Sequence, residues 1–245
     1  MKCCLGLTTI GVLLLALAQP AAAQTLNLDL GSSADGSTTG RIVQLIVLMT
    51  VLSVAPSILV MVTSFTRIVV VLGFLRQALG TQSSPPNMVM VSLAMFLTGF
   101  IMAPTFEQAW TSGIQPLMES KIDEFEAFDR VVKPFHAFMI KHTREQELRL
   151  FLDISKAKPV DKPEATPLKA LVPAFMISEL RRAFEIGFLV FLPFLVIDMV
   201  IASVLMSMGM MMIPPVMISL PFKLVFFVLV DGWMLIAGSL VQSFN

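Results

Sequence analysis

Ionisable residues avoid most of this chain and crowd into one stretch of it. Between Glu107 and Arg182 lie 12 Lys/Arg and 12 Asp/Glu, so 24 of the 34 charges occupy about a third of the sequence. The other two thirds carry ten charges and most of the Leu, Ile, Val, Phe and Met. A soluble globule cannot solvate segments of that kind. The whole chain is 14% charged, against roughly 25% in an average soluble domain. It reads as membrane-associated, with one polar domain set between hydrophobic blocks. The 17 basic and 17 acidic residues cancel, so net charge makes no case for nucleic acid.

Residues 1–23 have the form of a secretory signal peptide. Lys2 gives a positive start, Leu5 to Ala18 an apolar core, and Ala21-Ala22-Ala23 a small-residue cleavage site. An uncleaved anchor helix is the alternative. Both cysteines, Cys3 and Cys4, lie in this segment, so a mature chain from Gln24 would have neither disulfides nor cysteine metal sites. Residues 24–41 then form a Gly- and Ser-rich flexible leader.

Four apolar stretches follow. The first, Ile42 to Val62, passes through a polar notch, Thr63-Ser64-Phe65-Thr66-Arg67, into a run ending near Arg76. Met88 to Pro104 comes next, announced by Pro85-Pro86, and Ala183 to Met206 and Ile213 to Val241 lie beyond the polar domain. The expected organisation is a first hydrophobic helical hairpin over 42–106, a polar helical domain over 107–182 and a second hairpin over 183–245. Two arginines and no acid between Arg67 and Asn87 favour the cytoplasm for that connection. Both termini and the polar domain would then lie outside.

The apolar runs make poor lipid-facing helices. Arg67, Arg76, Glu185, Asp198, Lys223 and Asp231 sit in or beside them, with Pro56, Pro193, Pro214, Pro215 and Pro221. Ionisable groups at membrane depth face protein or a water-filled path, and broken helices need neighbours to satisfy the freed backbone. Arg76 and Glu185 could instead snorkel at an interface. Asp198 precedes Gly209 by 11 residues and Lys223 follows Ile213 by 10. At 1.5 Å per residue both lie about 15–16 Å from the turn, so a hairpin brings opposite charges to one depth. Pairing within the hairpin or with an adjacent subunit is the economical reading; a proton relay is the sharper alternative.

The turn between them, Met206 to Met217, holds six of the chain's 18 methionines. Pro214-Pro215 breaks the helix and Gly209 permits a bend. Methionine is adaptable and polarizable, and a ring of such loops would make a deformable seal around a pore. Apolar filler is the plainer account.

In the polar domain Ile122, Phe125, Phe128, Val132, Phe135 and Phe138 recur at three- and four-residue steps, the pattern of an amphipathic helix. The phenylalanines form an apolar stripe available to a neighbouring subunit. Thr143 to Asp153 suggests a second helix, and Lys156 to Pro167 an extended loop. No strand alternation stands out, so the expected fold is all-α. Phosphate-loop, HExxH and GxSxG motifs are missing. His136 and His142 lack acidic companions at ligand spacing and read as surface histidines. Neither catalytic residues nor a metal or cofactor are expected.

The segment Pro173-Ala174-Phe175-Met176-Ile177-Ser178-Glu179-Leu180-Arg181-Arg182-Ala183-Phe184-Glu185-Ile186-Gly187-Phe188 resembles a signature of the FliP family of flagellar and virulence type III secretion proteins. Pro221-Phe222-Lys223-Leu224 with Asp231-Gly232-Trp233 is similar to a second signature. So is Phe65 to Val71 with Arg76, Leu79-Gly80-Thr81 and Pro85-Pro86-Asn87. The resemblance spans about 42–245. It implies a non-enzymatic subunit of the export gate in the bacterial inner membrane, at the flagellar basal body. Its partners would be four further copies of itself in a ring of five, FliQ and FliR, membrane proteins such as FlhA and FlhB, and unfolded substrate proteins. The resemblance makes Met210, Met211 and Met212 the pore seal. Arg67, Glu179, Arg181 and Glu185 are expected to make polar contacts between helices or subunits, and Asp198 and Lys223 to form the buried charge pair. A proton-coupled transporter or channel subunit using those two residues is the competing reading.

Overall fold

The structure is a computed structural model that describes residues 37–81, 83–155, 165–210 and 214–244; it is all-α, with no strand among the described residues. The signal-peptide segment, most of the leader and most of the Lys156–Pro167 loop lie outside them. Two compact units divide the chain at Leu52 and Ser53. The first is described by the leading part of α1 (Ser37–Val62), where Ile46, Val47, Leu48 and Met49 are all exposed. The rest of the description concerns the second unit.

The polar notch ends α1, and α2 (Phe65–Leu79) starts afresh after Ser64. With 15 residues, α2 is about 22 Å long, too short to cross a hydrocarbon core of roughly 30 Å. Its role is internal. Ile68, Val71, Leu72, Leu75, Ala78 and Leu79 follow the three–four spacing of a helix face and are all buried. Around that face pack Met90, Ala94 and Leu97 of α3 (Asn87–Ala109), Ala183 and Phe194 of α7 (Leu168–Ser207), Phe227 of α8 (Pro215–Leu229) and Leu240 of α9 (Gly232–Gln242). Gly80, at φ +76°, ends α2 by donating its N–H to the Gln77 carbonyl, a left-handed cap that glycine takes without strain.

The chain leaves α3 through a π-helical turn, Trp110–Ile114, and the short α4 (Gln115–Met118). Then come α5 (Glu124–His142) and α6 (Glu145–Ile154), the two helices of the polar domain. The phenylalanine stripe is split. Phe135 meets Phe106 and Phe138 meets Phe175, whereas Phe125 and Phe128 remain 85% and 65% exposed. α7 runs unbroken for 40 residues past Pro173 and Pro193, so position 182, expected as a boundary, lies inside one helix.

Contacts fix the directions. Arg67 meets Glu179 and Phe74 meets Phe184, so α2 and α7 run parallel; Phe194 meets Phe226 and Phe227, so α8 returns along α7. A left-handed Asp231 (φ +50°) bends α9 from α8 by 63°. Among the described residues, three stretches suit a membrane crossing by length and composition, Leu45–Val62, Asn87–Met118 and Leu168–Ser207, and a fourth if the bent α8–α9 pair is one span.

Candidate functional site

Two clusters of buried charge lie at opposite ends of α2. At the start of α2, Arg67 and Glu179 are both fully buried. Arg67 Nε donates to Glu179 Oε2 at 2.8 Å, and Nη2 donates to Oε1, a two-pronged guanidinium–carboxylate pair. Arg67 Nη1 donates to the Ser243 carbonyl at 3.1 Å and to its hydroxyl at 3.0 Å. The Phe244 ring lies against the guanidinium, 3.6 Å from Cζ to ring centroid, a cation–π contact in a dry setting.

That ring also belongs to an aromatic cluster. Phe244 stacks on Phe138 at 6.0 Å and meets His142 at 5.2 Å, while Phe138 and His142 lie 4.8 Å apart. His142 is 5% exposed, so the expectation of a surface histidine is corrected. A neutral imidazole packs between aromatic rings much as another ring would. Burial lowers its pKa to about 4, helped by the positive charges of Arg67, Lys141 and Arg182.

At the other end of α2, Lys223 Nζ donates to Asp198 Oδ2 at 2.6 Å and to the Ala78 carbonyl at 3.1 Å. Ser219 Oγ donates to Asp198 Oδ1 at 2.6 Å. Lys223 is almost wholly buried, and the Asp198 side chain is 28% exposed. One ammonium thus ties α8 to α7 and satisfies a carbonyl in the last turn of α2, which the helix itself leaves without a partner.

The remaining candidates are more superficial. Glu185 is exposed and accepts two bonds from Arg144 Nη2, at 3.0 and 2.9 Å, and one from Arg181 Nε at 3.3 Å. Arg181 Nη1 also reaches Glu147 Oε1 at 3.5 Å. Arg76 Nη1 donates to Asn87 across the α2–α3 turn. Met210 follows the end of α7 and is 43% exposed; Met211 and Met212 lie outside the described residues. Ser219, Ser243 and Phe244 were not singled out from the sequence. The available signal was the demand itself: a buried guanidinium carries five donors, and one carboxylate cannot take them all.

A family model described as "FliP family" matches residues 48–240. The chain is 59% identical over 229 residues to the flagellar biosynthetic protein FliP of Caulobacter vibrioides, covering 92% of this chain and 85% of that one. It is 56% identical to the protein of that name from Bacillus subtilis over 220 residues, 89% of this chain and 98% of the relative. For the Rhizobium meliloti protein the figures are 51% over 243 residues, 98% and 99%.

Proposed function

The chain belongs to the FliP family, and from that premise we propose that it is a core subunit of a flagellar type III protein export gate. Five copies form a ring with FliQ and FliR, alongside membrane proteins such as FlhA and FlhB. Unfolded flagellar substrates pass through the ring, which catalyses no reaction and draws its driving energy from elsewhere. The polar domain stands on the periplasmic side of the inner membrane. The observation that carries this reading is the match across 48–240, which takes in the Arg67–Glu179 and Asp198–Lys223 pairs.

The geometry supports a packed conduit rather than lipid-facing helices. Arg67, Glu179 and Lys223 are taken up by protein groups, so none of them needs water or headgroups. Meanwhile Met199, Met217, Leu229 and Met234 each expose more than half their surface, a large apolar area for other subunits to cover. Between α7 and α8 in the sequence, Met210, Met211 and Met212 supply compliant apolar side chains. Such a constriction passes polypeptide when stretched and excludes ions by dewetting when closed.

A second reading, a proton-coupled transporter, has one observation in its favour: Asp198 is partly exposed beside Lys223. An in-frame deletion separates the two. The export reading expects flagellar filament and hook proteins to vanish from the medium and to return with the wild-type chain. Normal secretion with loss of a proton-driven uptake would support the transporter.

A further inference from the structure

We propose that Ser243 and Phe244 act as a latch that seats α9, closing the Arg67–Glu179 site and fastening the polar domain to the helical bundle. Among the donors of Arg67, Glu179 takes the one on Nε and one of the two on Nη2, and Nη1 donates to the Ser243 carbonyl and hydroxyl. Withdrawing Ser243 would leave a buried cation with unsatisfied donors, which the interior penalises strongly. Withdrawing Phe244 would uncover the guanidinium face. The site is therefore incomplete until residues 176 positions along the chain arrive.

Phe244 serves both sides of this junction. One contact is with Arg67 on α2; the others are with Phe138 and His142 on α5. The ring is 5% exposed, so it sits between the bundle and the polar domain. At the far end of the α8–α9 pair, Lys223 holds Asp198 and Ala78. The pair is thus fastened at two points, with the 63° bend at Asp231 between them. Two fasteners separated by a hinge predict that releasing one frees one helix alone.

Hydrogen exchange read by mass spectrometry on the full-length protein tests this. In Phe244→Ala, amides of α9 and of residues 64–68 should exchange about tenfold faster or more, while α8 stays within about twofold of wild type. Phe244→Trp restores the aromatic face and should return α9 to near wild-type protection. Phe244→Leu keeps the bulk without the π face and should behave like the alanine variant. Unchanged α9 protection in folded Phe244→Ala would overturn the latch, as would α8 and α9 opening together. If the alanine and leucine variants fail to fold, a folded, protected Phe244→Trp supports the proposal, and a Phe244→Trp that also fails contradicts it.

Discussion

Lys223 joins two other helices, and its removal strands a partner on each. Lys223→Ala leaves the Asp198 carboxylate with Ser219 alone and the Ala78 carbonyl without its donor. The expected cost is about 3–5 kcal/mol, read as lost assembly and lost secretion. Asp198→Asn should cost less, because the amide oxygen still accepts from Lys223; a secreting, assembled Lys223→Ala strain would dismiss the pair as a fastener. His142 sets a pH dependence. Its pKa is about 4 in the folded protein and ordinary, near 6.5, in the unfolded chain. Between those values the unfolded chain binds a proton that the folded one refuses. Stability from this group is therefore whole above about pH 6.5 and lost as pH falls toward 4, by about 3 kcal/mol in all. Thermal unfolding of wild type and His142→Gln at about pH 7.5 and about pH 5 checks it, and equal losses in both would contradict it. At this scale the sequence was legible wherever distance could be counted along one hairpin: Asp198 and Lys223 lie at equal depth from their turn. Arg67 and Glu179 are 112 residues apart, and no local count joins them. The Ala78 carbonyl was equally hidden, since a backbone acceptor has no signature in side-chain chemistry.

Among the elements, the bend between α8 and α9 is written in three adjacent residues. Asp231 takes the left-handed conformation, which Asp tolerates better than most residues. Gly232 lies under the Phe227 ring, where a Cβ would fall 2.1 Å from its nearest carbon. Trp233 meets the same ring edge to face at 5.3 Å. Gly232→Ala should thus force the ring aside and destabilise the protein by about 1–3 kcal/mol, measured as a drop in the unfolding midpoint. Phe227→Leu in the same chain should recover part of the loss. Element existence was readable from periodicity and punctuation: the notch at Thr63-Ser64, Pro85-Pro86 before α3, and the phenylalanine steps of α5 each mark a real boundary or helix. What periodicity could not reveal was destination. Phe125 and Phe135 obey one repeat, yet only Phe135 meets Phe106, because α3 covers one part of the stripe and not the rest. Nor could composition show that α7 carries polar and apolar halves as one helix; helical hydrogen bonding is indifferent to where the charges stop.

At the largest scale, α2 gives an axis to the second unit. Its start lies with Glu179, the end of α9 and the aromatic cluster of α5, and its other end with the Gly80–Asn87 turn. The polar domain and the end of α9 therefore share one end of the bundle, away from the end of α2 where Arg76 meets Asn87. The proposed orientation puts that shared end in the periplasm. A periplasm-dependent reporter fused at Lys158 should be active, and activity of a cytoplasm-dependent reporter at the same position would invert the topology. The central claim is that this chain works as a member of a closed multi-subunit conduit. Among the described residues many large apolar side chains are exposed, and Arg67, Glu179 and Lys223 are met by groups of the chain itself, so the faces left for neighbours are mostly apolar. Native mass spectrometry of the complex purified from membranes through a tag on this chain tests that claim most directly. The account predicts five copies together with smaller helical partner proteins; a monomer or dimer lacking such partners would contradict it.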